Sequence, residues 1–133
     1  MKLAIVDDNK LEQELIFNTL RTYEHERNIS LDISSYSDGN SFLNTYVPGD
    51  FDLIFMDIYL NELNGIDIVR KIRQMDSKVM IVFLTTSKEY IFEAAPFHFF
   101  DYILKPFEST QIFHVLDDAL QLLPEQEAEL SFE

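Results

Sequence analysis

Charged or hydroxyl-bearing residues follow four of the five apolar runs in the chain. Asp7 and Asp8 follow the run LAIV, Asp57 follows DLIFM, Thr85 follows VMIVFL, and Lys105 follows DYIL. These runs are typical of parallel β-strands, whose carboxyl ends meet at one edge of a sheet. We therefore expect three carboxylates, one hydroxyl and one ammonium group to lie close together at that edge.

Three carboxylates that share one site repel one another unless a cation binds among them. Oxygen-only ligands suit a hard divalent ion, and magnesium fits best. His25, His98 and His114 are scattered along the chain and none is a candidate ligand, which argues against zinc and copper. Magnesium held by few carboxylates usually completes its coordination shell with water and phosphate oxygens, so a phosphoryl group is the expected ligand.

Each of these residues has a predicted role in phosphoryl chemistry. Asp57 is the predicted nucleophile, because aspartate can accept a phosphoryl group. Asp8 would bind magnesium directly, and Asp7 would bind it partly through water. Lys105 would pair with one phosphate oxygen, while Thr85 would donate a hydrogen bond to another. A bound metal would explain why two adjacent acids are tolerated.

The 133 residues include 24 acidic and 10 basic side chains, which gives a net charge of −14. This charge would repel nucleic acids and the anionic inner face of a membrane, so we expect this domain to bind neither.

The chain has no cysteine, and its first apolar run is too short for a signal peptide, which favours a cytoplasmic location. Nucleotide hydrolysis is excluded because there is no G-x-x-x-x-G-K-[ST] loop.

Strand-like runs alternate with helical patterns over residues 2–123, which predicts an α/β fold of the (βα)5 type with helices on both faces of a parallel sheet. The second strand should lie at an edge, because its Ile29, Leu31 and Ile33 alternate with polar residues. Pro96 should make the fourth helix short or irregular. The helices are predicted at residues 9–24, 40–47, 63–75, 87–95 and 108–123.

The chain length supports a single hydrophobic core, which we assign to residues 1–123. The remaining residues, 124–133, have the sequence PEQEAELSFE. Pro124 stops the preceding helix, and four glutamates follow it without a basic residue. We predict an acidic tail, or the start of a linker to an output domain that is missing from this chain.

The strand-end residues resemble those of the receiver domains of two-component response regulators, which accept a phosphoryl group from a histidine kinase. The resemblance covers roughly residues 2–122 and includes the segments MDIYLNELNG around Asp57 and DYILKPF at 101–107. It implies a doubly wound, flavodoxin-like sheet with the strand order 2-1-3-4-5. It also implies a signalling switch, which is not an enzyme beyond, at most, slow self-phosphorylation from small phosphodonors and self-dephosphorylation.

The resemblance adds further expectations at the site. The backbone carbonyl of Tyr59 would join the three aspartates around magnesium, and the Lys105–Pro106 bond would be cis. Tyr59 and Ser87 would line the approach of the attacking water. On phosphorylation, Thr85 would move toward the phosphate and Tyr102 would rotate inward. This movement would remodel the face formed by helix 4, strand 5 and helix 5.

That face is rich in aromatic residues, and most of them should pack in the core. One or two exposed rings would supply a self-association patch, which predicts a phosphorylation-dependent homodimer. The candidates are Tyr90, Phe92, Phe97, Phe99, Phe100, Phe107 and Phe113.

The segment FLTTSKEYIFEA followed by FDYILKPF further resembles receivers joined to LytTR-type DNA-binding output domains. Such proteins are transcription factors, so DNA would be contacted through an output domain. Two other functions stay open. One is a magnesium-dependent phosphatase that forms an aspartyl-phosphate, although the Asp-x-Asp of the haloacid dehalogenase group is missing after strand 1. The other is a receiver-like interaction module that never takes phosphate.

Overall fold

The apolar runs form the five strands of one parallel sheet in the computed structural model, which describes residues 1–60 and 63–123. The sheet order is β2-β1-β3-β4-β5, and every pairing is parallel. This confirms the predicted fold and strand order, with the second strand at an edge. The strands are Lys2–Val6 (β1), Asp32–Tyr36 (β2), Leu53–Asp57 (β3), Met80–Thr85 (β4) and Asp101–Leu104 (β5).

A helical segment follows each strand. None of the helices within the described ranges is long and apolar enough to cross a membrane. The predicted tail, residues 124–133, lies outside the described residues. The helices are Lys10–Arg27 (α1), Gly39–Thr45 (α2), Gly65–Arg73 (α3), Ile91–Ala94 (α4) and Ser109–Leu122 (α5), and a 3-10 turn at Ala95–Phe97 follows α4.

Alternating side chains of the sheet enter two separate cores. On one face Leu3, Phe55 and Leu84 pack against α1 and α5, and we call this layer the α1/α5 core. On the other face Met56 and Phe83 pack against the remaining helices, and we call this layer the α2/α3 core. Because β1, β3 and β4 are buried on both sides, their sequences are continuously apolar instead of alternating.

Two helices cover the α1/α5 core and are tied together by Asp117 of α5. The Tyr23 hydroxyl of α1 donates a hydrogen bond to the Asp117 carboxylate, and Arg27 donates two hydrogen bonds of 3.1 Å to the same carboxylate. The apolar face of α5 is buried at Ile112 and Leu116. Packing and a charged contact therefore hold α5 at a defined place beside β5.

The fourth helix is short, as the position of Pro96 predicts, but it also begins later than expected. Helical pattern alone suggested a start at residue 87, whereas residues 86–90 form a loop. The Ser87 carbonyl accepts a hydrogen bond of 2.6 Å from the Tyr102 hydroxyl. The Ser87 hydroxyl oxygen accepts a second hydrogen bond from the Glu89 amide. These tertiary and local side-chain bonds take the place of the first helical turn.

Candidate functional site

Asp7 and Asp8 lie between the end of β1 and the start of α1. Asp7 is only 1% exposed, and its carboxylate accepts a hydrogen bond of 2.9 Å from the amide of Asn9. Gln13 of α1 also donates a side-chain hydrogen bond to the Asp7 carbonyl. Asn9 caps α1 by accepting a hydrogen bond from the Glu12 amide. The turn thus fixes the backbone that carries both carboxylates.

Asp57 is the last residue of β3 and is 6% exposed. Val6 pairs with Met56 across the two strands, so this register places Asp7 and Asp57 side by side at the sheet edge. The Asp57 carboxylate accepts a hydrogen bond of 3.2 Å from the Tyr59 amide.

Gly65, the first residue of α3, closes the loop that follows Asp57. Its amide donates a hydrogen bond of 2.8 Å to the Ile58 carbonyl. A Cβ atom at Gly65 would lie 2.1 Å from the Asp57 carbonyl oxygen, so any larger residue would displace the backbone of one partner. The requirement for glycine is therefore steric and bears directly on the position of Asp57.

The three aspartates form a compact cluster of oxygen donors. One carboxylate oxygen from each of Asp7, Asp8 and Asp57 lies within 4.8 Å of the other two. Lys105 reaches this cluster from the end of β5, and its Nζ lies 2.9 Å from Asp7 Oδ2 and 3.6 Å from Asp57 Oδ2. The Lys105–Pro106 bond is cis, as expected.

Burial and charge have opposite effects on the two central groups. Burial raises the pKa of Asp57 to about 6, and the charges of Asp7 and Asp8 add to the rise while Lys105 opposes it. Burial alone would lower the pKa of Lys105. The hydrogen bond to Asp7 and the charge of Asp57 outweigh burial and raise that pKa above its ordinary value. The cluster thus holds a firmly protonated lysine beside a carboxylate whose ionisation is penalised.

An open cleft of about 430 Å³ gives access to the cluster. Tyr59 lies on its wall, as expected, with its hydroxyl 3.3 Å from Glu89 and its ring against that of Tyr90. Thr86 lines the cleft, whereas Ser87, the predicted neighbour, does not. The residues that line the cleft are Asp8, Asn9, Glu12, Asp57, Tyr59, Thr86 and Lys105.

Thr85 ends β4 and is fully buried, so it does not line the cleft itself. Its hydroxyl has no hydrogen-bond partner among the described residues, which is unusual for a buried polar atom. Strand alternation places it on the same face as Phe83, where Tyr102 also packs. The Thr85 hydroxyl therefore keeps an unused hydrogen-bonding capacity at the end of β4.

The aromatic face behaves largely as expected. Phe92 of α4 is 90% exposed, whereas the other six aromatic residues predicted on this face are partly buried. Three cleft residues, Asn9, Glu12 and Thr86, were missed by sequence reasoning. Glu12 lies in the first turn of α1, where acidic residues are common, so no signal in the sequence distinguishes it from a solvated helix residue.

Comparison with known proteins gives matches over most of the chain. The family model of the response regulator receiver domain matches residues 3–117. Protein MrkE of Klebsiella pneumoniae is 34% identical over 116 residues, which are 87% of this chain and 42% of MrkE. Sensory transduction protein LytR of Staphylococcus saprophyticus is 30% identical over 123 residues, or 92% of this chain and 47% of LytR. This chain therefore spans less than half the length of either relative.

Solved structures show the same fold. The response regulatory domain of MrkE superposes with a TM-score of 0.77 at 33% identity, covering 91% of this chain and 96% of that domain. The receiver domain of sensor histidine kinase PA1611 from Pseudomonas aeruginosa, crystallised with magnesium in its active-site cleft, has a TM-score of 0.77 at 23% identity. Coverage there is 90% of this chain and 97% of that domain, and the likeness shows the fold alone.

The relationship to LytR agrees with the predicted LytTR-type branch. Because the family model spans most of the sequence, this chain belongs to the response regulator receiver domains of two-component signalling.

Proposed function

We propose that this chain is a phosphorylation-dependent switch in which Asp57 accepts a phosphoryl group from a histidine kinase. Receiver domains of response regulators are regulatory switches and not, in general, enzymes. The observation that carries the proposal is the approach of Lys105 Nζ to 3.6 Å from Asp57 within a cluster of three carboxylates. A nucleophile, oxygen ligands for a cation and a fixed ammonium group are what phosphoryl transfer to a carboxylate needs.

Magnesium is the cofactor that this donor set fits. Asp7, Asp8 and Asp57 offer only oxygen atoms as ligands. Their carboxylates lie close together, and a hard divalent cation would balance their negative charge. We propose the backbone carbonyl of Tyr59, a residue that lines the cleft, as a further ligand. When bound, the ion would supply positive charge to the carboxylates and to the phosphoryl oxygens.

The proposed transfer is a substitution at phosphorus. An Asp57 oxygen forms a bond to the phosphorus while the P–N bond of the kinase phosphohistidine breaks, and the imidazole leaves with the bonding electron pair. Lys105 then pairs its ammonium protons with a phosphoryl oxygen. Asp57 must be ionised to attack, and a pKa of about 6 leaves it mostly ionised at pH 7.

The signal would travel through Thr85 and Tyr102. The Thr85 hydroxyl has no partner among the described residues, so it can bond a phosphoryl oxygen at little cost. Tyr102 packs on the same face of the sheet and holds the β4–α4 loop through the Ser87 carbonyl. A shift of Thr85 would therefore alter the packing beside Tyr102 and move this loop relative to α4 and β5.

We further propose that the face formed by α4, β5 and α5 mediates a phosphorylation-dependent homodimer. Phe92 of α4 supplies an apolar ring that is 90% exposed on this face.

Residues 1–123 would form the receiver domain, and residues 124–133 would lead toward a DNA-binding output domain in the cytoplasm. The relative YpdB of Escherichia coli K12 is a transcriptional regulatory protein, which supports a transcriptional output.

The chemical nature of the phosphoprotein tests the central proposal. After incubation with acetyl phosphate and magnesium, the protein should carry an acyl phosphate that hydroxylamine releases, because hydroxylamine attacks the acyl carbon. Chelation of magnesium should prevent the modification. A hydroxylamine-resistant phosphate would contradict the proposal, and continuous release of inorganic phosphate at enzymatic rates would favour a phosphatase instead.

The charge of the site without metal gives a prediction about stability. The pKa of Asp57 rises from 3.8 to about 6 on folding, so its ionisation destabilises the folded state by roughly 3 kcal/mol. Asp57→Asn should therefore raise the free energy of unfolding by about that amount at pH 7.5 in EDTA. The gain should shrink as the pH falls through 6 and vanish below about 4.

Urea unfolding measures this difference, with Asp32→Asn as the control for an exposed acid. A variant less stable than the wild type at pH 7.5, or a gain independent of pH, would show that the Asp57 carboxylate is not penalised.

The dimer face gives a prediction about self-association. Phosphorylated wild-type protein should sediment as a dimer, whereas Phe92→Ala should remain monomeric when phosphorylated to the same extent. Val47→Ala is the matched control, because Val47 is also an exposed apolar residue, at 55%, but lies after α2. Dimerisation of the Phe92 variant at the wild-type concentration would rule out this face.

A further inference from the structure

Glu12 of α1 lies beside the phosphorylation site without belonging to the aspartate cluster. Its Oε2 atom is 3.9 Å from Lys105 Nζ, and its side chain is 33% exposed on the wall of the cleft. It therefore faces the same ammonium group as Asp7 and Asp57, but from the solvent side.

Three carboxylates compete for the ammonium group of Lys105. It donates a hydrogen bond to Asp7 at 2.9 Å, whereas Asp57 at 3.6 Å and Glu12 at 3.9 Å make charge contacts beyond hydrogen-bond distance. A phosphoryl oxygen on Asp57 would be a further partner for this ammonium group and would compete with the weakest of these contacts. Glu12 makes the longest contact and is the most exposed of the three, which makes it the group that yields.

The charge balance of the cleft points the same way. Asp7, Asp8, Asp57 and Glu12 bring four negative charges against the single positive charge of Lys105. A divalent cation would leave one negative charge in excess, which equals the contribution of Glu12. A doubly charged phosphodonor that enters the cleft is repelled by this excess.

We propose that Glu12 is a positioning and selectivity residue of the phosphorylation site. In the resting protein it occupies the outer side of Lys105, competes with the incoming phosphoryl group for that lysine, and disfavours dianionic small donors. This inference rests on the proposed function of Asp57 as the phosphoryl acceptor. Glu12 affects the access and the orientation of the phosphodonor. It acts through its contact with Lys105 and through the electrostatic potential of the cleft.

Two donors of different charge separate an electrostatic role from a structural one. With acetyl phosphate, a dianion, the P–O bond breaks and acetate leaves with the electron pair. With phosphoramidate, a monoanion protonated on nitrogen, the P–N bond breaks and ammonia leaves.

The rate of Asp57 modification by each donor would be followed by intact mass at pH 7.5 and saturating magnesium. The proteins compared are the wild type, Glu12→Gln and Glu14→Gln, the last being an exposed acid of α1 outside the cleft.

Glu12→Gln should react roughly two- to fivefold faster than the wild type with acetyl phosphate, which is the scale of one partly exposed charge contact. The effect with phosphoramidate should be smaller, so the ratio of the two rates should rise. Glu14→Gln should match the wild type with both donors. High salt should reduce the gain, because it screens the charge.

An unchanged or slower rate with acetyl phosphate, or the same factor with both donors, would overturn the role of Glu12 while leaving Asp57 as the acceptor. A wild-type protein that takes phosphate from neither donor would overturn the proposed function itself, and the role of Glu12 with it.

Discussion

The contact of Lys105 with Asp7 and Asp57 is the interaction on which the site depends. Two nearly buried carboxylates and a third beside them would be strongly unfavourable without a nearby positive charge. Lys105 supplies one such charge, and a divalent cation would balance the negative charge that remains. Burial, with the added charges of Asp7 and Asp8, raises the pKa of Asp57, while the hydrogen bond to Asp7 and the charge of Asp57 keep Lys105 protonated against the effect of burial. The resting protein thus retains a charge imbalance at the carboxyl edge of its sheet.

The parallel sheet allows such an arrangement because strand pairing fixes the strand ends, and the turn after β1 then holds Asp7 and Asp8 in place. Pairing of β1 with β3 aligns Asp7 with Asp57. At the other side of the site, the Lys105 amide donates a hydrogen bond of 2.8 Å to the Thr85 carbonyl. Two closely packed hydrophobic cores hold the strands on both faces, which keeps the edge in place where the chemistry would occur. The β4–α4 loop is held mainly by side chains, including Tyr59 and Tyr102, which makes it the part best suited to change shape.

Much of this arrangement follows from the sequence, because strand ends are identified by the residues at which apolar runs stop. That rule alone predicts that Asp7, Asp8, Asp57 and Lys105 lie close together. The strand order and the cis bond came from resemblance to a family, since composition and periodicity do not determine them. Both are found in the structure.

Other features could not be predicted because they depend on tertiary contacts. Glu12 becomes part of the cleft only when the fold brings the first turn of α1 close to Lys105, and its helical position alone is equally consistent with solvent exposure. The late start of α4 depends on the Tyr102 hydroxyl, which lies 15 residues from Ser87 in sequence. Local helix propensity contains no information about such a bond.

The most direct test of Asp57 as the phosphoryl acceptor is the intact mass of the protein after incubation with acetyl phosphate and magnesium. We expect a single adduct of about 80 Da, the mass of one phosphoryl group, in the wild type and none in Asp57→Ala. An adduct that persists in Asp57→Ala would place the phosphate on another residue. The absence of any adduct on a wild-type protein that also fails to bind magnesium would contradict the account and favour a receiver fold used only for binding.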